Sequence, residues 1–191
     1  ESHDRIKERC PDLIVNLTSA LGAGASYEQR IEQIATIKPE MASLNMATMN
    51  FAAVNRKTGE VIGDYTFENR LEKIAEFARV MRDSGVKPEL ECYSMAGLEN
   101  YFYLKNSGCF EDPVNFNFVW GVCGGASFRP GTFTDMVGAL PPGANFTACG
   151  VGNQEWFAIA QAVICGGHVR VGLEDNVRTP DNGIARGNYE L

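Results

Sequence analysis

Apolar and polar positions follow two periods that take turns along the chain. Leu13-Ile14-Val15-Asn16-Leu17 is a short β-branched run after Pro11 and reads as a strand. Ser26 offers an N-cap, and Tyr27, Ile31, Ile34, Ala35 and Ile37 then recur at helical spacing, which predicts a helix over 27–37. A second strand is expected over 41–49. Residues 55–64 form a polar excursion, with a turn expected at Lys57-Thr58-Gly59. Phe67, Leu71, Ile74, Ala75, Ala78 and Met81 share one face, so a helix is expected over 67–84, ended by Gly85. Further strands are expected over 88–94, 115–122, 145–150 and 168–173. Helices are expected over 96–106, 129–140 and 154–164, ended by Gly108, Pro141-Pro142 and Gly166-Gly167. After Asn176 the chain is polar and turn-rich.

This is six strand–helix units, the last without its helix. Regular alternation implies a parallel sheet, either a barrel or a doubly wound sheet. No GxGxxG follows the first strand and no GxxxxGK[ST] occurs, so nothing marks a nucleotide-binding doubly wound fold. A complete barrel needs eight units and about 250 residues. The opening, 4–9, reads as the tail of a helix. The expectation is therefore an α/β chain with one domain over 1–191: a (β/α)8 TIM barrel lacking its first two βα units and possibly its last helix, that is, strands 3–8.

Composition narrows the partners. An apolar content of 45% suits one packed core. A net charge of −7 argues against nucleic acid, whose phosphates need clustered Lys and Arg. No apolar stretch reaches the roughly 20 residues of a membrane span, and the charged residues 1–10 do not read as a signal peptide. Six scattered cysteines without a CxxC pair suggest buried, reduced thiols and a cytoplasmic location.

The strongest chemical signal is Gly166-Gly167-His168-Val169-Arg170-Val171-Gly172-Leu173-Glu174-Asp175-Asn176. In a strand over 168–173, alternation sets Val169, Val171 and Leu173 against the outer helices. His168, Arg170, Gly172 and Glu174 then face the barrel interior. That interior is ordinarily filled with branched apolar side chains, so an inward Arg and Glu need a reason. Glu174 and Asp175 fall at the C-terminal end of the strand, where barrel enzymes place catalytic groups. Adjacent carboxylates facing different ways can divide roles, one binding a metal and one acting as base, with Arg170 orienting the base. The competing reading is a structural Arg–Glu pair, with Asp175 capping the next turn. Polar residues also end other strands: Thr18-Ser19, Thr48 and Asn50, and Glu89 with Glu91, which point one way. His168 lies at the start of its strand and reads as a structural hydrogen-bonder. Trp120, Trp156, Phe116 and Phe118 read as packing.

GGHVRVGLEDN resembles the signature of the β-keto acid cleavage enzymes. Residues 15–19, 44–51, 87–91, 118–125 and 140–144 are similar to that family in the same order. The resemblance implies a zinc-dependent (β/α)8 barrel that turns a β-keto acid and acetyl-CoA into acetoacetate and an acyl-CoA, in a homo-oligomer. It implies Glu174 as a zinc ligand, Asp175 as base, Arg170 as its support and Ser19, with Thr18 as alternative, as a further relay member. It assigns substrate binding to Thr48 and Asn50, and gives Glu91 to a substrate amino group. A metal-dependent aldolase or lyase on the same barrel, or a non-catalytic fragment, are the alternatives. Two departures stand out. The family's HxH zinc motif is absent and expected before this chain, and Ala20-Leu21 precedes Gly22 where glycines are expected directly after the Ser or Thr.

Overall fold

Ser26 begins the first long helix as its position predicts. Its hydroxyl accepts from the Gln29 backbone N–H (3.2 Å) and the Gln29 side chain accepts from the Ser26 N–H (2.9 Å), a reciprocal capping box. Removing half of it with Ser26→Ala is expected to cost about 1 kcal/mol, read as a lower denaturation midpoint. The computed structural model describes residues 1–20 and 25–191; Leu21 and Gly22, where the glycine departure falls, lie outside the described residues.

In chain order the helices are α1 (Ser2–Arg9), α2 (Tyr27–Ile37), α3 (Leu71–Asp83), α4 (Met95–Leu104), α5 (Pro130–Gly138) and α6 (Glu155–Ile164). The strands are β1 (Asn16–Leu17), β2 (Met41–Asn45), β3 (Met49–Val54), β4 (Val61–Phe67), β5 (Lys87–Cys92), β6 (Asn115–Trp120), β7 (Asn145–Gly150) and β8 (His168–Val169). Six strands form one parallel sheet in the order β1-β2-β5-β6-β7-β8, with helices between successive strands. The α/β expectation of a curled parallel sheet is met. Among the described residues no helix is long and apolar enough to cross a membrane.

Alternation sorts the two faces of the sheet. Leu44, Met46, Leu90, Cys92, Phe116, Phe118, Trp120 and Ala148 join the core with Ile74, Phe77 and Phe133 from the helices. Phe118 stacks on Phe146 at 5.7 Å and Trp120 on Phe133 at 5.6 Å, so the expectation of packing holds for Phe116, Phe118 and Trp120. Each such side chain contributes about 1.5–3 kcal/mol by burial. The opposite face carries Ser43, Asn45, Glu89, Glu91 and Asn117, and this is the face that curls inward.

Five expectations are corrected. The strand expected over 41–49 ends at Asn45, and the excursion over 55–64 belongs to an antiparallel hairpin of β3 and β4. Phe67 ends β4 instead of starting a helix. It meets Phe51 (6.2 Å) and lies under the Arg30 guanidinium (5.3 Å), so its apolar contacts are made on the hairpin. The strand expected over 168–173 ends at Val169. One further ladder bond, Arg170 N–H to Ala148 C=O (2.9 Å), follows; the chain then turns, with the Asp175 and Asn176 N–H groups donating to Gly172 C=O. Val169 and Leu173 are 44% and 41% exposed, so they are not covered by helices as alternation implied. The cysteines are free, but Cys10 and Cys123 are exposed and only Cys92, Cys109 and Cys149 are buried.

Candidate active site

Arg170 organises the inner face. Its Nε and Nη2 donate to the two oxygens of Asp175 at 2.9 and 3.0 Å, a bidentate pair. Nη1 reaches Glu91 at 3.4 Å and Nη2 also reaches Glu174 at 3.2 Å. Glu91 lies on β5 and Arg170 just past β8, which are three strand spacings apart, about 14 Å in a flat sheet. Their contact requires the sheet to curl. One guanidinium thus serves three carboxylates. They differ in surroundings: the Asp175 and Glu91 side chains are 7% and 8% exposed, Glu174 84%. Glu174 therefore points outward, not inward as strand alternation implied. The turn at Gly172 breaks the alternation, and Asp175 takes the buried place.

This crowding shifts the carboxyl groups. Burial, then the charge of Glu89, pushes Glu91 up to about 7, with Arg170 pulling the other way. Burial also raises Glu89, opposed by a 2.8 Å hydrogen bond from the Asn16 amide. Tyr93 and Cys149 are pushed up by burial in the same neighbourhood. For Glu91 the folded value lies above the unfolded one. The fold then holds an extra proton between them, and stability falls as pH rises from about 4.5 to about 7. Glu91→Gln is expected to flatten that slope, gaining up to about 3 kcal/mol relative to the parent at pH 8. Urea midpoints at acid and alkaline pH check this; parallel profiles for the two proteins would contradict it.

Asn45, Glu91 and Asn117 stand in one register row across β2, β5 and β6. Asn45 and Asn117 are 1% and 0% exposed, and neither carboxamide has a partner among the described residues. Buried amides without partners cost about 1–3 kcal/mol each. They alternate with Leu44 and Met46 and with Phe116 and Phe118, the same signal that aligned Glu89 with Glu91, yet sequence reasoning passed over them. It passed over Tyr93 too, which follows β5 without a pattern of its own.

The other expected site residues make no hydrogen bond to the Arg170 cluster among the described residues. Ser19 is fully buried; its N–H donates to the Ser43 hydroxyl (3.0 Å), its C=O accepts from Arg30 (2.8 Å) and its hydroxyl has no partner among the described residues. Thr18 is exposed, its hydroxyl accepting from the Ala20 N–H at 3.1 Å. Thr48 accepts from the Asn69 N–H at 2.8 Å and so tethers the hairpin to the start of α3. Asn50 is exposed on β3. Its carbonyl comes so close to Gly124 that a Cβ there would lie 1.8 Å from the oxygen, which explains one glycine of the 121–125 loop by chain packing. His168 is exposed and makes no side-chain hydrogen bond among the described residues, correcting the structural role expected of it. Trp156 is not core either: its indole N–H donates to Arg178 C=O at 3.3 Å.

Among the described residues no group of three or more His, Cys, Asp or Glu side chains is placed to hold a metal ion. Glu174 has one oxygen on Arg170 and is otherwise open to solvent.

A curled parallel sheet with helices between its strands, and an Arg–carboxylate cluster beyond its last strand, is consistent with part of a (β/α)8 barrel. Comparison with known proteins makes this specific. The chain belongs to the family described as beta-keto acid cleavage enzyme, whose profile matches residues 1–191. It is 37% identical over 188 residues to the 3-keto-5-aminohexanoate cleavage enzyme of Acetoanaerobium sticklandii, covering 98% of this chain and 65% of that protein. The protein of the same name from Fusobacterium nucleatum subsp. nucleatum is 34% identical over 188 residues, covering 98% of this chain and 64% of its own. The 3-dehydrocarnitine:acetyl-CoA trimethylamine transferase of Rhizobium meliloti is 33% identical over 196 residues, covering 93% and 62%. The chain thus spans a little under two thirds of the length of these relatives.

Proposed function

We propose that the protein carrying this chain converts a β-keto acid and acetyl-CoA into acetoacetate and a new acyl-CoA, with residues 1–191 forming strands 3–8 of a single (β/α)8 domain. The observation that carries the reading is the bidentate grip of Arg170 on buried Asp175, beside an open Glu174, just beyond the last strand. The relatives' names support it: two are named for cleavage of a keto acid and a third for a transfer that involves acetyl-CoA.

Asp175 is the base. Fixed at both oxygens, it removes a proton from the carbon between the two carbonyl groups of the keto acid. That carbon attacks the acetyl thioester and the CoA thiolate leaves. The thiolate then adds to the original keto carbon, whose bond to the carbon that attacked the thioester breaks. The products are acyl-CoA and, with the proton returned from Asp175, acetoacetate. Arg170 offsets charge on Asp175 and Glu174. Zinc, with Glu174 as one ligand, would polarise the keto and carboxylate oxygens. HxH does not occur in the sequence, and the described residues do not by themselves complete a zinc site. Ser19, or Thr18, is assigned to the proton relay, and Thr48 and Asn50 to substrate contacts. Glu91, whose carboxyl is pushed up to about 7, is assigned to a substrate amino group.

The test incubates the enzyme with zinc, acetyl-CoA and a panel of β-keto acids and follows products by mass spectrometry. Acetoacetate plus a new acyl-CoA is the expected result, lost in Glu174→Gln. Consumption of the keto acid without any acyl-CoA would replace this reading with an aldolase or lyase.

A further inference from the structure

A buried cation stands without an acid on α2. Arg30 and Ile34 share the buried face of that helix, one turn apart, so a guanidinium is carried inward where the spacing calls for an apolar side chain. Arg30 is 8% exposed, and among the described residues no carboxylate pairs with it. An unpaired buried charge is costly, so its donors must be well used. Nε donates to the Ser19 C=O at 2.8 Å and Nη2 to the Asn69 side-chain oxygen at 3.1 Å. The guanidinium carbon lies 5.3 and 5.9 Å from the centres of the Phe67 and Phe77 rings. Asn69 is buried as well, and it passes the connection on. Its amide donates to the Ala47 and Phe67 carbonyls (3.3 and 3.4 Å), and its backbone N–H to the Thr48 hydroxyl (2.8 Å).

We propose that Arg30 and Asn69 are positioning residues that set the Ser19 and Thr48 hydroxyls relative to each other. The inference rests on the roles proposed above for those two hydroxyls and adds what fixes them. Ser19 and Thr48 follow neighbouring strands, β1 and β2. Ser19 is held at both backbone groups, its N–H on the Ser43 hydroxyl and its C=O on Arg30, while its buried hydroxyl is left without a partner among the described residues. A fixed backbone with a spare buried hydroxyl suits a group that hands on a proton. The Thr48 oxygen accepts from the Asn69 N–H and its hydroxyl donates to no group among the described residues, so the exposed Thr48 keeps its proton for a substrate oxygen. Arg30 suits the task because no carboxylate draws it elsewhere. Its planar fork spans two neutral acceptors, one on Ser19 and one on the residue that holds Thr48.

The test measures kcat, KM for each substrate and denaturation midpoints for Arg30→Ala and Asn69→Ala, and repeats Arg30→Ala in a Ser19→Ala background. Arg30→Ala is expected to lower kcat about 10–10²-fold, the scale of a misplacement of about 1 Å. Through Thr48 it raises KM for the keto acid about tenfold, while KM for acetyl-CoA stays within about twofold. In the Ser19→Ala background the same change is expected to lower kcat less than about threefold, because the group it positions is gone. Asn69→Ala removes the second acceptor and is expected to raise the same KM; it carries the test should Arg30→Ala not fold. Tyr27→Phe is the comparison for packing alone. It deletes the 2.7 Å bond from the Tyr27 hydroxyl to the Lys73 C=O, which ties α2 to α3 and reaches neither hydroxyl. It is expected to lower the midpoint and leave kcat and both KM values at the parental level. Equal kcat losses from Arg30→Ala in the two backgrounds, or a lower midpoint with parental kinetics, would overturn the inference and leave the guanidinium a packing element. Parental kinetics in both Ser19→Ala and Thr48→Ala would instead remove the roles on which the inference rests, and the inference with them.

Discussion

Arg170→Ala is expected to be the most damaging single change, lowering both stability and turnover. The guanidinium is the cation for Asp175 and Glu91, whose side chains are 7% and 8% exposed. Removing one partner of a buried pair strands the other charge and costs about 3–5 kcal/mol. The exposed contact with Glu174 adds little. Arg170→Lys separates the two roles. A lysine ammonium restores a positive charge but cannot give the two parallel N–H donors that fix Asp175. It is expected to recover much of the stability and little of the activity. Denaturant midpoints and kcat on the same preparations check this. A stability loss below about 1 kcal/mol in Arg170→Ala would show that the carboxylates are solvated in the working protein.

Asp175→Asn is expected to reduce kcat by about 10²–10⁴-fold, the usual worth of a positioned base, with KM for the keto acid little changed. The carboxamide keeps the shape and loses the basic oxygen. It also turns an N–H₂ toward one of the Arg170 donors, now held at 2.9 and 3.0 Å, so a cost of about 1–3 kcal/mol accompanies the change. A purely structural pair would show that stability cost without the kinetic one. Near-parental kcat in folded Asp175→Asn would therefore move the base elsewhere.

The sequence made some of this legible and hid the rest for physical reasons. The helix at 27–37 and the strand at 145–150 were readable to the residue, because a capping box and short period-two runs are local signals. The β3–β4 hairpin was not. Its first strand is only half-buried and its second almost wholly exposed, on either side of a polar turn, so burial left no clear alternation there and the helical pattern extends back to Phe67. Glu89 and Glu91 could be placed on one face from alternation alone. Glu174 and Asp175 could not be told apart that way. The strand stops after Val169, and which carboxylate is buried is decided by hydrogen bonds to Gly172 C=O across the turn. Asn45 and Asn117 carried the signal of the glutamates, but a carboxamide has no charge to advertise its burial.

The central claim, that the acetyl group is transferred to carbon while the acyl group passes to CoA, is tested most directly by isotope position. The enzyme is given acetyl-CoA labelled in both acetyl carbons together with an unlabelled β-keto acid. The account predicts acetoacetate carrying the label in its methyl and keto carbons, and an unlabelled acyl-CoA. Label in the new acyl-CoA, or unlabelled acetoacetate, would contradict it.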